Sequence, residues 1–388
     1  MKRALTLFLF FALAFCVINL LTAKAQENVW TAIAPMPTPE MQLGVAVVNG
    51  TIYAIGGSAT SPNGLDTNQK YDTDTNIWTT LASMPTPRYN LGVAVYQNII
   101  YCIGGINTGP HLNTTEMYDI ATDTWETKAS LPINSPTIYC ANAVEGKIYV
   151  MGLAGENQTA LFNQAYDPAT DTWAFKTVPS TNVIGDMSAV LDGKIYMFGG
   201  EVAGNPSASL NQIYNPTTDS WTTAKPLPMF QSNGAAAATS GLNASKRLYV
   251  MGGETTYVMN GVTFGNFTDA NNIYNPETDT WSKGATMPSV LRFFKLAVVN
   301  DQLYAVGGVK GLLGNFPDQT ARYTPIQHDS AEQEPIPFYM TPIGTAIIIL
   351  ALSIIIAIAI FYFKTRKAKN RHGLSVKNQS ASSGKALS

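Results

Sequence analysis

Side chains able to do chemistry are few and scattered. Of 388 residues, three are histidine (His111, His328, His372) and three are cysteine (Cys16, Cys102, Cys140). So few cannot build a histidine-rich metal centre or a disulfide-stapled scaffold. No GxSxG, Walker loop or HExxH occurs, so serine hydrolysis, phosphate cradling and zinc proteolysis are not expected. Asp72-Thr73-Asp74-Thr75-Asn76 opens like a calcium loop, and related runs occupy 119–123, 167–171 and 275–279. Each lacks the glycine and distal glutamate of an EF-hand and reads as an Asx-type turn between strands. No metal and no cofactor are expected. Cys102 takes a place held elsewhere by Ala54, Val150 and Val250, and Cys140 starts a strand. Both read as small core residues rather than a disulfide.

Recognition is a better use of the remaining groups than catalysis. Arg88 and Arg292 stand in links between repeats, and Glu201 and Glu254 directly follow glycine pairs. A long segment between Gly253 and Tyr274 carries Tyr257, Phe264 and Phe267, aromatic side chains of the kind that anchor contacts. These seven are the candidate ligand-binding residues; none is assigned a catalytic role. Five sequons, at Asn49, Asn113, Asn157, Asn243 and Asn266, are candidate glycosylation sites. Asn49 sits inside a tight hairpin turn.

The elements that position these residues repeat. Tryptophan occurs at 30, 78, 125, 173, 221 and 281, with first intervals of 48, 47, 48 and 48 residues. A tyrosine precedes each later Trp by seven residues: Tyr71, Tyr118, Tyr166, Tyr214 and Tyr274. Upstream of each Tyr an apolar run closes on glycine: Gly56-Gly57, Gly104-Gly105, Gly199-Gly200, Gly252-Gly253 and Gly307-Gly308, with one glycine missing at Met151-Gly152-Leu153. Within a copy, Leu43–Val48 is an apolar strand, Asn49-Gly50 a hairpin turn, and 51–55 a second strand. A third surrounds Tyr71 and a fourth carries Trp78. Four short strands per 45–50 residues are a propeller blade.

This pattern resembles the kelch-repeat family, through the glycine pairs, the spaced Tyr and Trp, and links such as Met84-Pro85-Thr86-Pro87-Arg88. The resemblance covers Asn28 to about Thr324 and implies an all-β, six-bladed propeller over 26–325. Trp30 precedes the first glycine pair and no Trp follows Tyr323. The N-terminal strand should therefore supply the missing outer strand of blade 6, closing the ring and removing an open edge. The glycines are expected where inner strands crowd the axis, and the Tyr and Trp rings between blades. Exported sialic-acid mutarotases share the architecture and use Arg and carboxylate groups near the axis. By that resemblance Arg88, Arg292, Glu201 and Glu254 form a polar ring for a sugar or peptide, or are solvated loop residues.

Ends and charge complete the reading. Residues 1–25, with Lys2, Arg3, an apolar run and Ala23-Lys24-Ala25, read as a signal peptide. An uncleaved signal anchor is the alternative. Residues 343–363 carry no charge and would span roughly 32 Å as a helix, the thickness of a hydrocarbon core. Lys364, Arg366, Lys367, Lys369 and Arg371 follow, so the tail 364–388 is expected in the cytoplasm. Residues 326–342 would be a stalk. The near-neutral total of −2 hides an acidic ectodomain: residues 26–342 hold 14 basic and 26 acidic residues, a net of −12. That excludes bulk nucleic-acid binding. The expectation is a single-pass plasma-membrane protein whose outward face binds a protein or carbohydrate without catalysis. A carbohydrate enzyme or a structural envelope spacer are the alternatives.

Overall fold

The computed structural model describes residues 27–326, apart from 60–62, 110, 135, 156–159, 181–182, 185–186, 200, 203–208, 260–261 and 312–319, together with six positions between 349 and 360. Two units are distinct, Gln26–His328 and residues 1–25 with 329–388. In the second, Ile349, Leu350, Ser353, Ile356, Ala357 and Ile360 are helical. No helix among the described residues is long and apolar enough to cross a membrane. The rest of the expected span, the signal peptide, the stalk and the tail lie outside the described residues.

Among the described residues the first unit has six four-stranded antiparallel sheets, with two further two-stranded ones. Blade 1 runs outward from the axis through Gly44–Val48, Thr51–Ile55, Asn68–Asp72 and Ile77–Thr80. Blades 2 to 5 repeat that order. Blade 6 takes Leu291–Val299, Gln302–Lys310 and Thr320–Thr324 from the end of the propeller, and Val29–Ile33 from its start. Trp30 pairs with Tyr323 in the register in which Trp78 pairs with Tyr71 and Trp125 with Tyr118. The expected closure by the N-terminal strand is present.

Six buried apolar clusters hold the ring, one at each blade junction. The cluster between blades 1 and 2 packs Ile55 and Tyr53 against Leu91, Ile100 and Tyr118. The repeated tyrosines are almost fully buried. An aromatic ring buries on the order of 150–250 Å², which contributes roughly 4–6 kcal/mol before entropy is counted.

A polar latch accompanies each cluster. Asp123, in the turn before Trp125, accepts from Tyr118 Oη at 2.6 Å and from the Ala82 backbone N at 2.9 Å. Trp125 Nε1 donates to the carbonyl of the same Ala82 at 2.9 Å. Both backbone groups of one link residue are thus taken by the following blade. The same arrangement holds Ala34, Ala129, Thr177, Lys225 and Ala285. At Ala285 the partners are Asn28 and Trp30. The turn residues Asn76, Asp123, Asp171, Asp219, Asp279 and Asn28 have φ of 48° to 58°, a left-handed conformation that Asn and Asp tolerate. The runs that resemble calcium loops are therefore blade latches. Among the described residues no group of three His, Cys, Asp or Glu is gathered as for a metal.

The glycine pairs differ from expectation in what crowds them. They end the second strand of a blade, and the next blade's link crosses them. Gly56 has φ 62°, and a Cβ there would lie 2.6 Å from the Arg88 carbonyl oxygen. Gly57 N donates to that oxygen at 2.9 Å. In blade 3 a second strand of eight residues, Lys147–Ala154, runs on through the position of the missing glycine.

Candidate functional site

Inner strands begin on the face that carries the second-to-third-strand loops and the links between blades. In four blades a residue at or just before the start of the inner strand is in the left-handed region: Gln42 (φ 56°), Asn90 (52°), Asn233 (54°) and Phe293 (59°). Their backbones join into a belt along blades 5, 6, 1 and 2. Phe293 N donates to Asn233 O, Gln42 N to Phe293 O, and Asn90 N to Gln42 O, each at 2.8 Å. Beneath the belt lies an axial cavity of about 430 Å³, reached by the inner strands of all six blades.

Blade 5 raises a hairpin beside this mouth. Its strands, Glu254–Met259 and Val262–Phe267, pair with Glu254 opposite Phe267 and Tyr257 opposite Phe264. Glu254 and Ser232 exchange backbone hydrogen bonds at 2.7 and 3.0 Å, which root the hairpin in the link before blade 5. From the adjoining blade, Arg292 Nη1 reaches Glu254 Oε1 at 2.8 Å. The Arg292 guanidinium carbon lies 5.1 Å from the Phe267 ring centre and 4.9 Å from that of Phe293. Arg292 and Glu254 are 22% and 28% exposed, so the cluster is partly dry yet open to a partner. Cation–π contacts at such sites contribute about 0.5–2 kcal/mol.

Of the seven expected ligand residues, Arg292, Glu254 and Phe267 come together here. Arg292 does not stand in a link, as its sequence position suggested, but within the elongated inner strand Leu291–Val299. Phe293, which sequence reasoning missed, is half-buried beside Arg292 and has φ 59° within this strand, whose register runs evenly past it: Arg292 faces Val309 and Phe294 faces Gly307. Glu201 falls in a short strand against Ile184. The side chains of Glu201, Tyr257 and Phe264 lie outside the described residues.

Arg88 is the correction. Its side chain is 0% exposed and pairs with Glu116 at 2.6 Å. Further donors reach Thr114 O at 3.2 Å and Cys102 O at 3.4 Å. Thr86 Oγ1 takes the other Glu116 oxygen at 2.6 Å. A guanidinium so enclosed ties the link to the third strand of blade 2 and meets no ligand on the face. The same link position pairs inward elsewhere: Glu40 with Gln69 at 2.9 Å and Gln231 with Asn272 at 2.6 Å. The expected polar ring of four therefore does not assemble.

Both cysteines are free and buried. Burial pushes each thiol up to about 12. Asn49, Asn113, Asn243 and Asn266 are exposed, whereas Asn157 lies outside the described residues. Asn49 occupies a hairpin tip at φ 49°. Asn243 lies in the long blade 5 turn, where Asp301 Oδ2 accepts from its backbone N at 2.7 Å.

Six kelch-type blades closed by the N-terminal strand define the class: an all-β propeller with a polar and aromatic cluster at one mouth. The chain belongs to the Attractin/LZTR1 beta-propeller family, whose family model matches residues 52–315. A solved structure described as "Structure of YjhT" has the same fold, with a TM-score of 0.62 and 19% identity over 74% of this chain and 96% of that one. None of the curated proteins compared with the chain matches it.

Proposed function

We propose that the protein is a membrane-anchored, cell-surface kelch propeller that binds a protein or glycan without catalysis, through the face carrying Arg292, Glu254, Phe267 and Phe293. The observation that carries this reading is the cluster itself. A guanidinium held against two aromatic rings, one carboxylate and partial exposure are the ingredients of an interface hot spot. The hairpin that bears Glu254 and Phe267 is an addition to the blade plan and is not needed for closure. The propeller's chain ends support the orientation. Val29–Ile33 begins, and Thr320–Thr324 ends, on the opposite face, so neither end obstructs the cluster. The uncharged run 343–363 followed by basic residues supports a single span with a cytoplasmic tail.

The test is capture from surface extracts by full-length protein, comparing wild type with Arg292→Ala and with a shortened 255–270 hairpin. Both variants should lose the same captured partner while melting like wild type. Equal capture by all three refutes the reading.

A further inference from the structure

A buried carboxyl roots the link that enters blade 1. Glu40 is 0% exposed. Its Oε1 accepts from Gln69 Nε2 at 2.9 Å, and its backbone oxygen accepts from Gly308 N of blade 6 at 2.8 Å. Oε2 has no donor, because the Thr67 hydroxyl that acts on the carboxyl gives its proton to Gly56 O at 3.2 Å. A carboxylic acid can donate from Oε2 to the Thr67 oxygen, whereas a carboxylate leaves a buried charge without a partner. Gly57, Thr67 and Gln69 of blade 1 and Gly308 of blade 6 face Glu40, and none of them is charged or titratable. Arg88, whose carbonyl meets Gly57 N, turns its side chain to Glu116.

The same link holds the cluster at the mouth. Two residues beyond Glu40, Gln42 N donates to Phe293 O at 2.8 Å, and Phe293 N donates to Asn233 O at 2.8 Å. Phe293 has φ 59°, a conformation that a bulky residue keeps only where its surroundings hold it. Its ring is one of the two against the Arg292 guanidinium.

We propose that Glu40 is a pH-sensitive switch on the binding cluster: protonated, it fixes the link, and ionised, it frees the link, so that Phe293 loses its backbone anchor beside Arg292. This rests on the cluster being the recognition site and names the regulation of that site. In the closed link, burial pushes the carboxyl up to about 8; released to water, it returns to its ordinary 4.5. Opening therefore sheds a proton, and the open population grows up to about tenfold per pH unit between those values.

The test is amide hydrogen exchange of the full-length protein at about pH 5 and about pH 8, read at single residues by mass spectrometry and corrected for intrinsic exchange. In wild type the Gln42 and Phe293 amides should each lose at least about tenfold in protection at the higher pH. The internal reference is the Gly104 amide, which donates to Thr114 O at 2.9 Å in blade 2. Glu40→Gln, neutral at both pH values, should show no such loss. Constant protection of Gln42 in wild type, loss at Gln42 without loss at Phe293, or the same loss in Glu40→Gln overturns the proposal. Should Glu40→Gln fail to fold, the wild-type ratios to Gly104 decide alone. Exchange needs no partner, so its failure and a failure of surface capture are read separately.

Discussion

Replacing Trp30 by alanine should loosen the one blade whose strands come from both ends of the propeller. Trp30 Nε1 donates to Ala285 O at 3.1 Å, and its ring centre lies 5.3 Å from that of Tyr323. Asn28 Oδ1 accepts from Ala285 N at 2.6 Å and from Tyr323 Oη at 2.8 Å. Truncating a fully buried Trp costs about 3–5 kcal/mol. Trp30 is half-buried, so about 2–4 kcal/mol is expected, or a fall of roughly 5–10 °C in melting temperature. Trp125→Ala removes the same contacts from blade 2, where the chain is continuous, and should cost a similar amount. Asn28→Ala strands the Tyr323 hydroxyl and the Ala285 N–H, for about 1–3 kcal/mol. Because both residues hold Ala285, the double variant should lose less than the sum of the singles. Deleting residues 27–35 removes the strand and should abolish a cooperative transition. Circular dichroism melts and urea titrations read all of these. If Trp30→Ala melts within a degree of wild type while Trp125→Ala falls, or if the deletion melts undiminished, closure by this strand is not what holds the ring.

Three further outcomes follow from buried groups. Burial pushes the Glu40 carboxyl from 4.5 up to about 8, against opposing hydrogen bonds from Thr67 and Gln69. The folded chain keeps a proton that the unfolded chain releases, so this group's contribution falls as pH rises from about 4.5 to about 8. The slope is at most about 1.4 kcal/mol per pH unit, and urea midpoints of Glu40→Gln should lack that component. Arg88→Ala leaves Glu116 charged and buried and should cost about 3–5 kcal/mol; replacing both by leucine should recover most of it, as Leu291, at the start of the blade 6 inner strand, already serves at the corresponding position. Cys102 and Cys140 should resist alkylation in the folded protein and both react in denaturant without reductant, as counted by mass spectrometry; a disulfide would leave them unreactive there.

The ring was legible because its determinants are local and repeated. Tyr71 and Trp78 lie seven residues apart, on paired strands joined by one turn, and five further copies share that register. Closure was legible from Trp30 standing without a glycine pair and Tyr323 without a Trp. The site was less so. Arg88 and Arg292 look alike in sequence, but their fates depend on partners 28 and 38 residues distant, Glu116 and Glu254. One clue to Arg88 was present: the position two before the repeated tyrosine is Gln69, Glu116, Gln164, Gln212 and Asn272 in the first five blades, a polar row that needs buried partners. Phe293 carried no such signal, since nothing in its local sequence marks its left-handed backbone or its contact with Arg292.

Photo-crosslinking from the intact cell surface tests the recognition claim most directly. One crosslinker is placed at the exposed Gly265 of the blade 5 hairpin and another at the exposed Thr122, in a third-to-fourth-strand turn on the opposite face. The account predicts that Gly265 crosslinks a discrete protein or glycoconjugate, that Arg292→Ala abolishes this product, and that Thr122 gives none of it. The same partner crosslinked from Thr122 alone, or from Gly265 regardless of Arg292, would contradict it.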